Sequence, residues 1–205
     1  MNEREAKEKV VNAGIRLVKS GLIARTWGNV SCRISDTHFV ITPSGRDYLS
    51  LTADDIVTVA IADLSYTGDI KPSGEKGVHA EIYKGSTKAD FIIHTHQENA
   101  SIISTLRVDS IQIKDSYPLL GTKIICASYG LPGTKKLRMG VAKALENSGG
   151  NAIIMKNHGA VCFGKDDMEA FLVASDLESA CLEFIKDRFE KMEHENQYEP
   201  DKLHQ

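Results

Sequence analysis

The run Ala89-Asp90-Phe91-Ile92-Ile93-His94-Thr95-His96 constrains the fold more than any other stretch of this chain. Its aromatic and β-branched residues predict a short buried strand. Because side chains alternate along a strand, His94 and His96 are expected on the same side. Two imidazoles placed in this way can fill two of the four usual positions around a metal ion. The other interpretation is a strand end at which both histidines meet solvent.

The composition bounds the class of protein. The chain has 205 residues, of which 41% are hydrophobic and 26% charged, and this is typical of one globular domain spanning residues 1–205. The formal net charge of −3 argues against a nucleic-acid or membrane-surface binder. The charged N-terminus is unlike a signal peptide, and no stretch reaches the apolar length of a membrane span. No Cys-x-x-Cys pair is present, so we expect reduced thiols in a cytoplasmic protein.

Helix-like and strand-like patterns alternate along the chain without the regular period of a Rossmann sheet. They predict an α/β fold in which a single domain has a central mixed β-sheet flanked by helices. The predicted helices cover 1–20, 77–85, 98–106, 134–145 and the segment from Asp166 onward. The predicted strands cover 29–34, 38–42, 57–62, 91–96, 123–127, 152–155 and 160–163. After Arg188 the polar tail is expected to be partly disordered or docked on a neighbouring subunit.

A catalytic zinc usually takes three protein ligands and leaves one position open. His158 is the candidate for the third ligand, because its turn, Lys156-Asn157-His158-Gly159, lies between two apolar runs. His79 lies on a predicted helix, where an ordinary helix histidine is favoured over a role beside the metal. The remaining histidines lie in polar surroundings and are interpreted as solvated: His38, His194 and His204.

Chemistry beside a carbonyl group also needs a base that takes a proton while the metal stabilises the resulting negative charge. Glu75 is the candidate, since it follows Pro72-Ser73-Gly74 and begins the helix that carries His79. Taken alone, a first-turn glutamate favoured by the helix dipole is the simpler interpretation. Burial raises the pKa of a carboxyl group and a metal lowers it, so the sequence leaves the sign of the Glu75 shift open.

Three short turns rich in Gly, Ser, Thr and Asn indicate a phosphorylated substrate. They are Thr26-Trp27-Gly28-Asn29, Thr42-Pro43-Ser44-Gly45 and Pro72-Ser73-Gly74. Each offers backbone N–H groups together with hydroxyl or amide donors, which can grip a phosphate. Neither Gly-x-x-x-x-Gly-Lys-Ser/Thr nor Gly-x-Gly-x-x-Gly is present, so nucleotide sites of those kinds are not indicated. We expect Trp27 to pack beneath its turn, with contact to the substrate as the alternative.

These motifs, taken in order with His94-x-His96 and Asn157-His158-Gly159, resemble the class II aldolase/adducin family over nearly the whole chain. The resemblance implies one zinc ion per subunit, although other divalent metals are compatible with such ligands. The implied metal ligands are Glu75, His94, His96 and His158, with Glu75 also acting as catalytic acid and base. The implied phosphate site consists of Asn29, Ser44, Gly45, Ser73 and Gly74, with Thr26 and Gly28 in the same turn as Asn29.

The resemblance also implies a homotetramer whose active sites lie between subunits. Tyr117, in the segment Asp115-Ser116-Tyr117, is the candidate for a catalytic tyrosine supplied by the neighbouring subunit, and Tyr198 is a candidate for an assisting tyrosine in the tail. The chain departs from the family pattern at Gly74, where aldolases often carry a second serine, so one hydroxyl is lost there.

The implied reaction is cleavage of a ketose 1-phosphate, such as fuculose 1-phosphate, to dihydroxyacetone phosphate and an aldehyde. Three other reactions on the same fold stay open: dehydration of methylthioribulose 1-phosphate, decarboxylation of an oxo-acid phosphate and C4 epimerisation of ribulose 5-phosphate. Epimerases of this family have Asp at the position of Glu75, which disfavours epimerisation, whereas the motifs do not separate aldolase from dehydratase. A non-enzymatic, adducin-like role is disfavoured because adducins lack the metal ligands that are present here.

Overall fold

A computed structural model describes residues 1–23, 26–113 and 116–197, with the side chains described as far as residue 193. Within these ranges the chain forms five helices and eight strands. The helices are α1 (Glu3–Lys19), α2 (Lys76–Gly85), α3 (Glu98–Ser104), α4 (Lys135–Glu146) and α5 (Asp167–Gln197). The strands are β1 (Gly28–Arg33), β2 (His38–Ile41), β3 (Val57–Ala60), β4 (Phe91–Thr95), β5 (Ser110–Gln112), β6 (Lys123–Ala127), β7 (Ala152–Met155) and β8 (Gly159–Gly164).

All the described strands join one sheet in the order β3-β2-β1-β4-β8-β7-β6-β5. Neighbouring strands are antiparallel except for β6 and β7, which are parallel. The sheet is therefore mixed, with helices on both faces. This confirms the predicted α/β fold.

The two faces of the sheet bury two separate cores. One core lies between the sheet and α1, α3 and α5, and the other lies between the sheet and α2 and α4. Along β4, Phe91 and Ile93 belong to the first core and Ile92 to the second. Every residue of β4 and of β8 is buried. Burial on both faces explains why these strands read as continuous apolar runs instead of alternating ones.

Side-chain caps begin two of the helices. Asn2 accepts a hydrogen bond from the Glu5 amide at 2.8 Å at the start of α1. Thr134 accepts one from the Leu137 amide at 3.3 Å at the start of α4, in agreement with the predicted cap. Caps of this kind satisfy N–H groups that have no partner within the helix.

The end of the chain differs from the sequence prediction. Helix α5 continues to Gln197, so disorder is wrong for the tail as far as Gln197, whereas docking on a neighbouring subunit stays a prediction. The helix holds because residues 189–197 contain neither Gly nor Pro and include three Glu and one Lys, which favour helix. Tyr198 and His204 lie outside the described residues. None of the helices in the described ranges combines the length and apolar character that crossing a bilayer requires.

Candidate functional site

Strands β1, β4 and β8 lie side by side in the sheet, and the predicted site residues come together at one end of these strands. The register pairs Asn29 of β1 with His94 of β4, and Thr95 of β4 with Ala160 of β8. His158 lies in the tight turn just before β8. In that turn Asn157 adopts a left-handed conformation with φ of 54°, which asparagine tolerates better than most residues.

His94, His96 and His158 form a compact group, which we call the histidine cluster. The ring centroids are 4.8 Å apart for His94 and His96, 4.9 Å for His94 and His158, and 5.0 Å for His96 and His158. One ligand nitrogen from each ring lies within 4.8 Å of the others. The Nε2 atoms of His94 and His96 are 3.0 Å apart. The turn histidine and the paired histidines therefore meet at one point.

The protonation pattern of the histidine cluster suits a cation. His94 Nδ1 donates to the Ala160 carbonyl oxygen at 2.8 Å, so Nε2 is the ring nitrogen that faces His96. Burial, followed by charge on His94 and His158, lowers the pKa of His96 to about 4. Burial likewise lowers the pKa of His158. Converging neutral imidazoles are the ligands that zinc and other divalent first-row metals accept.

Glu75 immediately precedes α2, and its carboxyl group contacts the histidine cluster. Its Oε2 lies 3.0 Å from His94 Nε2, and its Oε1 lies 3.1 Å from His158 Nε2. Oε1 is buried and has no hydrogen-bond partner within the described part of the chain, as expected for an atom that faces a cation. Burial acts to raise the pKa of Glu75, but interactions with His94, His158 and Asn29 outweigh it and lower the pKa to about 2. The carboxylate is therefore ionised.

Behind Glu75 lies a line of buried polar groups, which we call the hydrogen-bond chain: Asn29, Ser31, His79 and Tyr83. Asn29 Nδ2 donates to Glu75 Oε2 at 3.2 Å, and Asn29 Oδ1 lies 2.5 Å from His79 Nε2. His79 Nδ1 lies 2.6 Å from Ser31 Oγ, which lies 2.7 Å from the Tyr83 hydroxyl. Burial, followed by the charge of the cluster, lowers the pKa of His79 to about 3.

The interpretation of His79 as an ordinary helix histidine is wrong, because its ring is fully buried and hydrogen-bonded on both sides. The sequence carried a signal that could have revealed this role. Glu75, His79 and Tyr83 are spaced four residues apart, so they line one face of the helix. Polar groups on an otherwise buried helix face need partners, and Asn29 and Ser31 supply them.

The glycine-rich turns meet beside the histidine cluster. Pro43 and Pro72 form an isolated bridge, flanked by bonds from the Ser44 amide to the Lys71 carbonyl and from the Ser73 amide to the Thr42 carbonyl, each 3.0 Å long. The amides of Ser44 and Ser73 are therefore bonded within the protein and are not available to a phosphate. Among the described residues, the amides of Gly45 and Gly74 have no protein acceptor.

These turns and the histidine cluster line a cavity of about 420 Å³, the site cavity. Its lining includes all the predicted phosphate residues except Gly74, which adjoins Ser73. The predicted residues in the lining are Thr26, Gly28, Asn29, Ser44, Gly45, Ser73, Glu75, His96 and His158. His94 is buried behind them. Gly28 has φ of 121°, and a Cβ atom there would overlap the His94 carbonyl oxygen, so glycine is required where β1 passes His94.

Trp27 also lines the site cavity, 58% exposed, and its ring centroid lies 6.2 Å from that of His96. The expectation that Trp27 packs beneath the turn is wrong. Side chains alternate along an extended chain, and Asn29, two residues later, also lines the cavity. The tryptophan therefore forms part of the wall of the cavity.

Tyr117 lies apart from the histidine cluster of its own chain. Its hydroxyl donates to Glu183 Oε1 at 2.7 Å, and this bond raises the pKa of Tyr117 to about 12. It lines a different cavity, between β5 and α5. A role for Tyr117 in the same subunit's chemistry therefore has no support in this geometry, whereas a role in a neighbouring subunit stays a prediction. Asp115 and Tyr198 lie outside the described residues.

Comparison with known proteins agrees with the resemblance read from the motifs. Residues 8–184 match the family described as class II aldolase and adducin N-terminal domain. An L-fuculose phosphate aldolase of Methanocaldococcus jannaschii is 30% identical over 175 residues, which are 84% of this chain and 91% of that protein. A 5-deoxy-D-ribulose 1-phosphate aldolase of Bacillus thuringiensis is 27% identical over 176 residues, 85% of this chain and 82% of that protein. The solved structure of an L-fuculose 1-phosphate aldolase aligns with a TM-score of 0.82 at 28% identity, covering 90% of this chain and 86% of that chain.

Proposed function

The chain belongs to the class II aldolase and adducin family, and from that premise we propose that it is a metal-dependent sugar-phosphate aldolase. Its substrate is a ketose 1-phosphate such as fuculose 1-phosphate, cleaved to dihydroxyacetone phosphate and an aldehyde. One observation carries the proposal: a half-buried carboxylate lies within 3.1 Å of two of three converging imidazoles, at the wall of a cavity lined by glycine-rich turns. The names of the similar aldolases support the substrate class.

Glu75 and the histidine cluster would hold one divalent cation, for which we propose Zn²⁺. Three imidazole nitrogens and a carboxylate are a donor set that zinc accepts, and the unpartnered Oε1 of Glu75 is consistent with it. When bound, the cation supplies Lewis-acid stabilisation of the negative charge that develops at the substrate carbonyl.

Glu75 carries the proton in this proposal. Cleavage breaks the C3–C4 bond of the ketose phosphate, leaves its electron pair on C3 and requires a proton there. The C4 hydroxyl becomes the aldehyde carbonyl, and the proton that it loses balances the proton that C3 gains. The same group removes that proton in the condensation direction, because forward and reverse reactions share one transition state. A carboxylate with a pKa of about 2 is ionised at neutral pH and is therefore ready to act as the base in condensation. Asn29 and the helix that follows Glu75 hold the carboxylate in place.

The substrate phosphate is proposed to bind to donors of the glycine-rich turns. The free amides of Gly45 and Gly74 and the hydroxyls of Ser44 and Ser73 are available, since the backbone bonds between the turns leave them unused. Ser73 Oγ accepts from the Glu75 amide at 3.2 Å and keeps its own O–H to donate. The N-terminus of α2 follows directly and favours an anion.

Product analysis tests the reaction. Protein purified without chelators is analysed for bound metal and then incubated with fuculose 1-phosphate and, separately, with methylthioribulose 1-phosphate. The proposal expects about one zinc per chain and formation of dihydroxyacetone phosphate from fuculose 1-phosphate. Loss of water from methylthioribulose 1-phosphate without any carbon–carbon cleavage would assign the dehydratase reaction instead.

We further propose a cytoplasmic homotetramer in which Tyr117 of one subunit completes the site of its neighbour. Subunit mixing tests this arrangement. Tyr117→Phe and Glu75→Gln proteins, each impaired alone, are mixed, dissociated and reassembled. With random assembly at equal amounts, about a quarter of the sites regain both wild-type residues. Activity that stays at the average of the two variants contradicts a shared site. Unmixed samples taken through the same treatment are the control.

A further inference from the structure

The directions of the hydrogen bonds behind Glu75 follow from the atoms that face one another. Asn29 presents its amide N–H to the carboxyl group, since Nδ2 lies 3.2 Å from Glu75 Oε2. The amide oxygen of Asn29 then faces His79 and can only accept, so His79 carries its proton on Nε2. His79 Nδ1 therefore accepts from the Ser31 hydroxyl, and Ser31 Oγ in turn accepts from the Tyr83 hydroxyl. Every donor in the hydrogen-bond chain points toward Glu75.

The direction of these hydrogen bonds determines which atoms Asn29 presents at the wall of the site cavity. Asn29 lines the cavity, and its oxygen is turned away from it toward His79. The amide consequently presents N–H groups, and no acceptor, to whatever occupies the space beside Glu75. The second N–H of Asn29 has no protein acceptor among the described residues. An N–H group at that position attracts an anion, whereas the amide oxygen would repel both the Glu75 carboxylate and an anionic ligand.

We propose that His79 is a positioning residue that locks the Asn29 amide with its N–H groups toward Glu75 and the site cavity, which makes this wall selective for an anionic substrate group. Without the Nε2 donor, the amide oxygen loses the partner that holds it, and only the bond to Glu75 still favours this orientation of the amide. The inference rests on the proposed function for the identity of the anion, the substrate phosphate. The lock itself rests only on the contacts.

A network that only stabilised the fold would show the same contacts. The test therefore measures the effect on ligand binding separately from the effect on the free energy of unfolding. His79→Phe keeps an aromatic ring and removes the donor, and His79→Gln restores an N–H group at about the same reach. Tyr83→Phe is the matched control, because it removes a buried hydrogen bond at the far end of the chain, outside the lining of the site cavity. All the proteins are loaded with zinc, and their metal content is measured first.

The first readout is binding of inorganic phosphate, measured by calorimetry and independent of turnover. His79→Phe is expected to weaken phosphate binding and to lower kcat by about 10–100-fold, the usual cost of losing a group that orients a ligand. His79→Gln is expected to recover both quantities. Tyr83→Phe is expected to lower the free energy of unfolding without a loss of phosphate affinity. Equal losses in Tyr83→Phe and His79→Phe would overturn the proposal.

The second readout needs no variant and decides the matter if His79→Phe does not fold. Long-range proton–nitrogen NMR of the zinc-loaded wild-type protein is expected to report a neutral His79 with its proton on Nε2. A proton on Nδ1 would overturn the proposal, because the amide oxygen of Asn29 would then face a lone pair. Absence of ketose-phosphate cleavage, by contrast, would contradict the proposed function and leave the tautomer and phosphate binding to decide this inference.

Discussion

His79 and the histidine cluster lie on either side of Glu75, and they differ in how their ring nitrogens are hydrogen-bonded. His79 has a protein partner on both ring nitrogens. In the histidine cluster, by contrast, Nε2 atoms of separate rings face one another and the carboxylate. Burial lowers the pKa of His79, His96 and His158, but only the cluster brings ring nitrogens of separate histidines together beside a carboxylate.

This difference distinguishes a histidine that can bind a metal from a histidine that only holds another side chain in place. Burial and a lowered pKa are common to both groups, so neither identifies a ligand. What separates them is whether the free nitrogens already have donors or acceptors in the protein. A histidine with both nitrogens bonded has no lone pair to give, whereas the Nε2 atoms of the cluster contact one another and Glu75, where a cation can take their lone pairs.

The largest expected effect comes from removing a ligand. His96→Ala is expected to lose bound metal and all cleavage above background, because three ligands usually hold a catalytic zinc. His79→Gln is expected to keep the metal. Metal analysis and a thermal-unfolding series with added zinc measure the difference. At a hundredfold excess over the dissociation constant, zinc stabilises a competent protein by about 2.7 kcal/mol. Equal metal loss in both variants would break the comparison.

The variant Glu75→Gln tests the role of the carboxylate that lies between His79 and the histidine cluster. The substitution keeps the shape of the side chain and removes its charge and its capacity to take a proton. Turnover is expected to fall by about 10²–10⁴-fold, the usual range for an acid–base group, while the three imidazoles retain metal. The measurements are kcat on the ketose 1-phosphate and metal content. Full turnover in this variant would remove Glu75 from the proton transfer.

The smallest expected effect is on stability against pH in metal-free protein. The pKa of His79 is lowered from 6.5 to about 3, so between these values the unfolded chain binds more protons than the folded one. Stability is therefore fully present above pH 6.5 and falls as the pH falls through that window. His96 acts in the same direction down to about pH 4. His79→Gln is expected to reduce the slope by one proton, about 1.4 kcal/mol per pH unit.

Urea unfolding between pH 5 and 7 in the presence of a chelator measures that slope. The window lies above the ordinary pKa of carboxyl groups, so the histidines dominate the change. The matched control is Tyr83→Phe, which lowers stability by a similar amount at every pH and leaves the slope unaltered. An unchanged slope in His79→Gln would mean that His79 is not held neutral by burial.

The sequence indicated most of the fold because its signals are local. Strands β6 and β7 and the cap at Thr134 were predicted at their observed positions, since apolar runs and capping residues act over a few neighbours. Strand β5 was missed because three residues are too few to carry a periodic pattern. The length of α5 was underestimated because polarity after Arg188 was read as disorder, although helix propensity stays high there.

The sequence by itself determined the ingredients of the site: a His-x-His pair at a strand end, a glutamate before a helix and a histidine in a turn. Only the tertiary structure decided which of them meet, because the register of β1, β4 and β8 sets the distances between residues far apart in the chain. It also decided that Trp27 lines the cavity, that two of the turn amides are already bonded and that His79 supports Glu75 through Asn29. Each of these findings depends on which groups contact one another in the folded chain. A contact between residues far apart in the sequence leaves no periodic pattern from which it could be predicted.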